Sequence, residues 1–113
     1  MRIAAILAAL LLGAAVLTVP QAAQATDLRT CNTNERPRQI RLITQGGWVY
    51  CYGGYVGPLG LGAGLNIDTL VAGDYTGVLW CKEGVGWFGQ AFEPGEYWPV
   101  RRTCQQLNIT PPN

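Results

Sequence analysis

Cys31, Cys51, Cys81 and Cys104 lie 20, 30 and 23 residues apart in a chain of 113, and this spacing constrains the fold more than any other feature. Zinc knuckles and ribbons bring their ligands in close C-x-x-C pairs, and the chain has none. A catalytic thiol draws its reactivity from a neighbouring imidazole or other cation, and the sequence contains no histidine. Widely spaced cysteines of even number, in an exported chain, therefore read as two disulfides. Three pairings of four cysteines stay open; the sequence-local one, Cys31 with Cys51 and Cys81 with Cys104, is preferred.

Export is expected from the N-terminus. Met1 to about Ala25 reads as a secretory signal peptide: Arg2 supplies a positive start, Ile3 to Val19 is an uncharged apolar run, Pro20 breaks it, and Ala23-Gln24-Ala25 offers small residues to a peptidase. The run is at the short edge of the roughly 17–25 residues that span a bilayer, and no basic cluster follows it. A secreted mature chain of Thr26 to Asn113, forming a single domain without stable membrane insertion, is the expectation. Its small size makes the staples necessary, because a domain of this length buries little surface, and closing a loop of about 20 residues contributes on the order of 3 kcal/mol.

Beyond the leader the pattern is that of strands. Fourteen of the fifteen glycines fall after residue 45, and each costs about 1 kcal/mol inside a helix. Between them lie short segments rich in β-branched and aromatic residues, giving predicted strands at Gln39–Thr44, Trp48–Tyr52, Leu65–Val71, Val78–Lys82, Gln90–Glu93, Tyr97–Arg101 and Gln106–Ile109. Turns are expected at Gln45-Gly46-Gly47 and Ala72-Gly73-Asp74. An apolar–aromatic–cysteine triplet recurs, Val49-Tyr50-Cys51 and Leu79-Trp80-Cys81, each followed by a glycine-rich aromatic stretch. Two four-strand units packed face to face, each with the same inward aromatic, would produce this echo. The fold class expected is all-β, a sandwich or compact barrel.

The chemistry available to the chain is narrow. With neither histidine nor serine, the usual nucleophile–base triads cannot be assembled, and catalytic residues are expected to be absent. A glycosidase would use two of Asp68, Asp74, Glu83, Glu93 and Glu96 across a cleft, but a domain this small rarely builds one. Seven basic and seven acidic side chains balance beyond Ala25, so nucleic-acid binding, which rests on counterion release by many cations, is not expected. All eleven aromatic residues lie between Trp48 and Trp98. Most are expected to pack the core. Tyr55, Trp87, Tyr97 and Trp98, set beside glycines or prolines, are the candidates for an exposed binding surface that stacks on sugar rings or docks on a protein.

Three stretches carry a family resemblance. The run Asn66-Ile67-Asp68-Thr69-Leu70-Val71-Ala72-Gly73-Asp74-Tyr75-Thr76-Gly77-Val78-Leu79-Trp80 resembles a βγ-crystallin Greek-key junction, and Trp87-Phe88-Gly89-Gln90-Ala91-Phe92 resembles the aromatic–glycine signature of that fold's hairpin. Gly46-Gly47-Trp48-Val49-Tyr50-Cys51-Tyr52, with Cys31 upstream, is similar to the small secreted bacterial branch related to the Streptomyces killer toxin-like protein. The resemblance implies a small βγ-crystallin-like Greek-key sandwich over Cys31–Ile109. It implies a non-enzymatic antimicrobial effector acting on the wall or membrane of competitor cells, with cell-wall polysaccharide or a protein target as partner and a monomeric state. A metalloproteinase inhibitor of the same fold is the alternative, with the glycine-rich Gly53–Gly64 segment presenting Pro58-Leu59 as a substrate-like loop. Calcium-binding βγ-crystallins carry two adjacent acidic or amide residues and, after a two-residue gap, a hydroxyl residue followed by serine. Here Ile67 follows Asn66 and serine is absent, and hard cations want several oxygen ligands. No metal or other cofactor is expected.

Overall fold

The computed structural model describes residues 25–112; the proposed leader, but for Ala25, lies outside the described residues. Seven strands follow in the chain: β1 (Thr26–Arg29), β2 (Ile40–Thr44), β3 (Val49–Gly54), β4 (Gly57–Val71), β5 (Gly77–Glu83), β6 (Gly86–Phe92) and β7 (Tyr97–Ile109). They form one antiparallel sheet in the order β1-β3-β2-β4-β7-β5-β6. The all-β class and both expected turns are present. In place of two separate four-strand ladders, however, hydrogen bonding is continuous, because β4 and β7 are long enough to serve both halves.

Tight turns set the local register. The β2–β3 hairpin closes through Gly47 N–H on the Thr44 carbonyl at 2.9 Å and Thr44 N–H on the Trp48 carbonyl at 2.8 Å, with Gly47 at φ 92°, a conformation that glycine adopts without steric cost. At Gly73 (φ 63°) an added Cβ would fall against the main-chain oxygens of Arg38 and Gln39, so the turn after β4 needs glycine to let the β1–β2 loop pass close by.

The two long strands bend where their ladder is interrupted. Between the pairs Gly60↔Gln106 and Leu65↔Cys104, residues 61–64 of β4 face a single residue of β7. Farther along, the pairs Ile67↔Arg102 and Thr69↔Pro99 leave one extra residue on β7, and Arg101 there takes the left-handed conformation at φ 51°. Bulges of this kind bend a strand and increase its twist. Gln106–Ile109 thereby lies between Gly57–Gly60 on one side and Gly77–Trp80 on the other. Thr26 ties β1 back to the same region. Its buried hydroxyl donates to the Gly57 carbonyl at 2.5 Å and accepts from Ile109 N–H at 3.1 Å. The sheet therefore curls, bringing its first strand against the far half of β4 and β7.

Alternation builds the core. Ile40 and Leu42 of β2, Tyr52 of β3, Ile67 and Leu70 of β4, Leu79 and Cys81 of β5, Phe92 of β6 and Val100, Cys104, Leu107 and Ile109 of β7 form one buried cluster. The disulfides are Cys31–Cys51 and Cys81–Cys104, and they are placed differently. Cys81 and Cys104 are register partners inside the cluster. Cys51 shares a row with Arg29 and Arg41, on the face opposite Ile40 and Leu42, and is 1% exposed because the Cys31 segment covers it. One bridge is part of the core, and the other pins a loop to the outside of the sheet.

Three sequence expectations are revised. Gly53–Gly64 is not a free loop: Gly57–Gly64 belongs to β4, and Pro58 and Leu59 pair with Asn108 and Leu107. Pro58 is tolerated because this half of β4 is paired on one side only. Both triplet aromatics are exposed: Trp80 points outward because it alternates with the inward Cys81, whereas Tyr50 lies on the same face as its partner Leu42 but is left uncovered. Finally, β1 is an additional strand, and Tyr97–Arg101 and Gln106–Ile109 are parts of one.

Candidate binding surface

Trp80 sits on β5 between Leu79 and Cys81, both fully buried, and alternation turns its indole outward, 39% exposed. Its register partners are Gly89 on β6 and Gln106 on β7. The six-membered ring lies across Gly89, so close that a Cβ there would stand 2.8 Å from Cζ3 and 2.9 Å from Cη2. Trp87, opposite Lys82 and two residues from Gly89, projects from the same face of β6 and is 57% exposed. The two indoles, with Gln105 and Gln106, line an open groove of about 460 Å³. Gln105 is fixed by donating its amide to the Ala63 carbonyl at 3.3 Å. Behind this surface Arg102 packs over the Phe88 ring at 4.5 Å and pairs with Glu83 at 3.3 Å, tying β7 to β6 and β5.

The groove offers two aromatic planes and two carboxamides, without a charged group among its lining residues. Each amide both donates and accepts, and each indole presents an apolar face with a single N–H donor. That set suits a ligand with flat apolar patches rimmed by hydroxyls, which is the description of a pyranose ring.

The four aromatics singled out from the sequence are all exposed, but they do not share one surface. Trp87 joins Trp80. Tyr55, on the link between β3 and β4, borders a separate depression with Tyr75, Pro94, Thr110 and Pro112. Tyr97 and Trp98 begin β7, where alternation points them to opposite faces; Trp98 Nε1 donates to Glu96 at 3.1 Å. Trp80, Gln105 and Gln106 were not among the sequence candidates. The available signal was alternation itself, since an inward Cys81 turns Trp80 outward.

The carboxylates are distributed among separate partners. Asp68 meets Arg101 at 3.5 Å and accepts from Thr69, Asp74 accepts the Arg38 N–H at 2.6 Å, Glu83 pairs with Arg102, and Glu96 accepts from Glu93 N–H and Trp98. Among the described residues no three His, Cys, Asp or Glu side chains gather in a way that could hold a metal ion. Titration is perturbed at two sites remote from the groove. Hydrogen bonds to Asp27 and Glu35 raise the Arg29 pKa further, and burial, with the neighbouring Tyr50, pushes the Tyr52 phenol up to about 12. No helix among the described residues is long and apolar enough to cross a membrane, and two disulfides accord with an oxidising, extracellular setting. No family model matches the chain, and neither curated proteins nor solved structures contain a match to it.

Proposed function

We propose that this chain is a secreted, non-enzymatic effector that acts at the wall of competitor cells by binding polysaccharide through the Trp80–Trp87 groove. The single observation that carries the reading is the pair of outward indoles flanked by Gln105 and Gln106, with Gly89 giving Trp80 room to lie flat. Exposed tryptophans are costly to leave in water unless a partner covers them, and paired with amides they recognise rings that are apolar on their faces and polar on their rims. The leader at Met1–Ala25, the two disulfides and the resemblance to the βγ-crystallin-like, killer toxin-like group support export and an antimicrobial role. The inhibitor reading is less favoured because it needs a protruding loop, whereas Pro58 and Leu59 are held in the β4–β7 ladder.

Co-sedimentation of the mature protein with insoluble peptidoglycan, chitin and β-glucan tests the proposal, alongside growth inhibition of bacteria and fungi. Retention on one of these polymers, lost in Trp87→Ala, is the expected result. Equal recovery in the supernatant with every polymer, or unchanged retention of Trp87→Ala, would reject it.

A further inference from the structure

A second concave site, sharing no residue with the tryptophan groove, lies over the Cys31–Cys51 bridge. It is an open cavity of about 520 Å³ whose lining includes Arg36, Arg38, Arg41, Asn32, Thr33 and Gln39. The loop that forms its wall, residues 30–39, is built rather than slack. The disulfide anchors its start. The buried Gln39 amide donates to the Thr30 carbonyl at 2.9 Å and to Glu35 at 3.0 Å, and accepts the Asn32 N–H at 2.8 Å.

Three arginine residues thus contribute to the lining of one cavity, and no acidic residue does. The nearby acids are engaged elsewhere: Glu35 and Asp27 hold Arg29, and Asp74 accepts the main-chain N–H of Arg38. Arg36 spends one nitrogen, Nη1, on the Thr33 and Glu35 carbonyls. Among the described residues the Arg38 and Arg41 side chains have neither a hydrogen-bond acceptor nor an ion-pair partner. Placing like charges together is unfavourable unless a counter-charge offsets them.

We propose that this cavity is an oxyanion site that takes a phosphate group. A carboxylate fills one guanidinium fork, whereas a phosphate supplies three strong acceptor oxygens and a charge near −2, enough to engage two or three forks at once. The site is independent of the polysaccharide reading. A phosphate carried on a wall polymer would add a charged contact to the neutral one at Trp80 and Trp87, and a lipid headgroup would offer the same chemistry.

Calorimetric titration of the mature protein with inorganic phosphate and with pyrophosphate, at constant ionic strength, tests this. Saturable binding is expected, weakened by about tenfold or more in R38Q/R41Q, since charge-assisted forks are lost. R38K/R41K, which keeps charge without the planar fork, should fall between the two. Arg101→Gln, an exposed arginine elsewhere, should bind like the parent, and circular dichroism confirms that each variant is folded. Acetate at the same ionic strength should bind more weakly than phosphate. Sedimentation with vesicles containing phosphatidic acid, but not with pure phosphatidylcholine, would assign the group to a headgroup. Saturable binding of the free anion without vesicle sedimentation would assign it to a soluble or polymer-borne phosphate. No saturable binding to either source, equal affinity for acetate, or full binding by R38Q/R41Q would overturn the proposal.

Discussion

The indole of Trp80 lies flat across Gly89 on the adjoining strand, with room for a hydrogen and not for a methyl group. One glycine therefore fixes the orientation of one wall of the groove. Gly89→Ala should force the ring to rotate away or the strands to part, at a cost of about 1–3 kcal/mol, the usual range for overpacking. The near-ultraviolet circular dichroism of the tryptophans should change and polysaccharide retention should fall. A variant with the parent spectrum and melting temperature would show that Trp80 is not held against Gly89.

The two disulfides close loops of similar length, 20 and 23 residues, so chain entropy gives them similar weight, about 3 kcal/mol each. They differ in surroundings. Cys81 and Cys104 are fully buried in the core, while Cys31 is exposed. Replacing Cys81 and Cys104 by alanine adds a packing loss at two core positions, whereas replacing Cys31 and Cys51 adds one only at Cys51, outside the core cluster. Urea unfolding should therefore rank C81A/C104A below C31A/C51A in stability. The reverse order would contradict the placement of the two bridges.

Tyr52 gives a pH signature. Its folded-state pKa of about 12 lies above the ordinary phenol value of 10.0, first through burial and then through Tyr50. A raised folded pKa means the native state holds the proton more tightly. The associated stability is complete below the unfolded value and is lost as pH climbs from about 10 to about 12. Melting temperature should drop across that window, and Tyr52→Phe should flatten the drop. An identical alkaline decline in Tyr52→Phe would assign it to other groups.

The Thr26 hydroxyl joins the start of β1 to Gly57 and Ile109. Thr26→Val keeps the shape of the side chain while leaving the buried Ile109 N–H without its hydroxyl acceptor and taking one donor from the Gly57 carbonyl. The expected loss is about 1–3 kcal/mol per unsatisfied group, with faster amide exchange at Ile109. Unchanged exchange there would show that this bond does not close the sheet.

How much of this was legible beforehand depended on which signal each segment carried. Ile40–Thr44 and Val49–Gly54 could be read closely because alternating residues flank a Gly46-Gly47 turn. Gly57–Gly64 was hidden because glycine suggests a loop. In fact the absence of a side chain at Gly57 lets Ala25 approach, its Cβ 3.1 Å from where a Cβ on Gly57 would stand. β1 was missed because its four residues carry a single large apolar side chain, Leu28, and gain their partners only from distant strands. The seeming break between Arg101 and Gln106 is spanned by one strand whose register shifts on either side of it, changes of conformation that leave the strand intact. For the candidate site, adjacency to glycine and proline correctly marked Trp87 as exposed but gave no way to choose its companion. That choice lies in cross-strand register, which places Gln106 and Gly89 on either side of Trp80.

The most direct measurement is an indole N–H nuclear magnetic resonance titration with soluble wall-glycan fragments, since the chain offers only four such probes, Trp48, Trp80, Trp87 and Trp98. Saturable shifts of Trp80 and Trp87, with Trp48 and Trp98 unmoved, are the result expected of a groove that receives sugar rings. Four stationary signals at high fragment concentration, or shifts confined to Trp48 and Trp98, would contradict it.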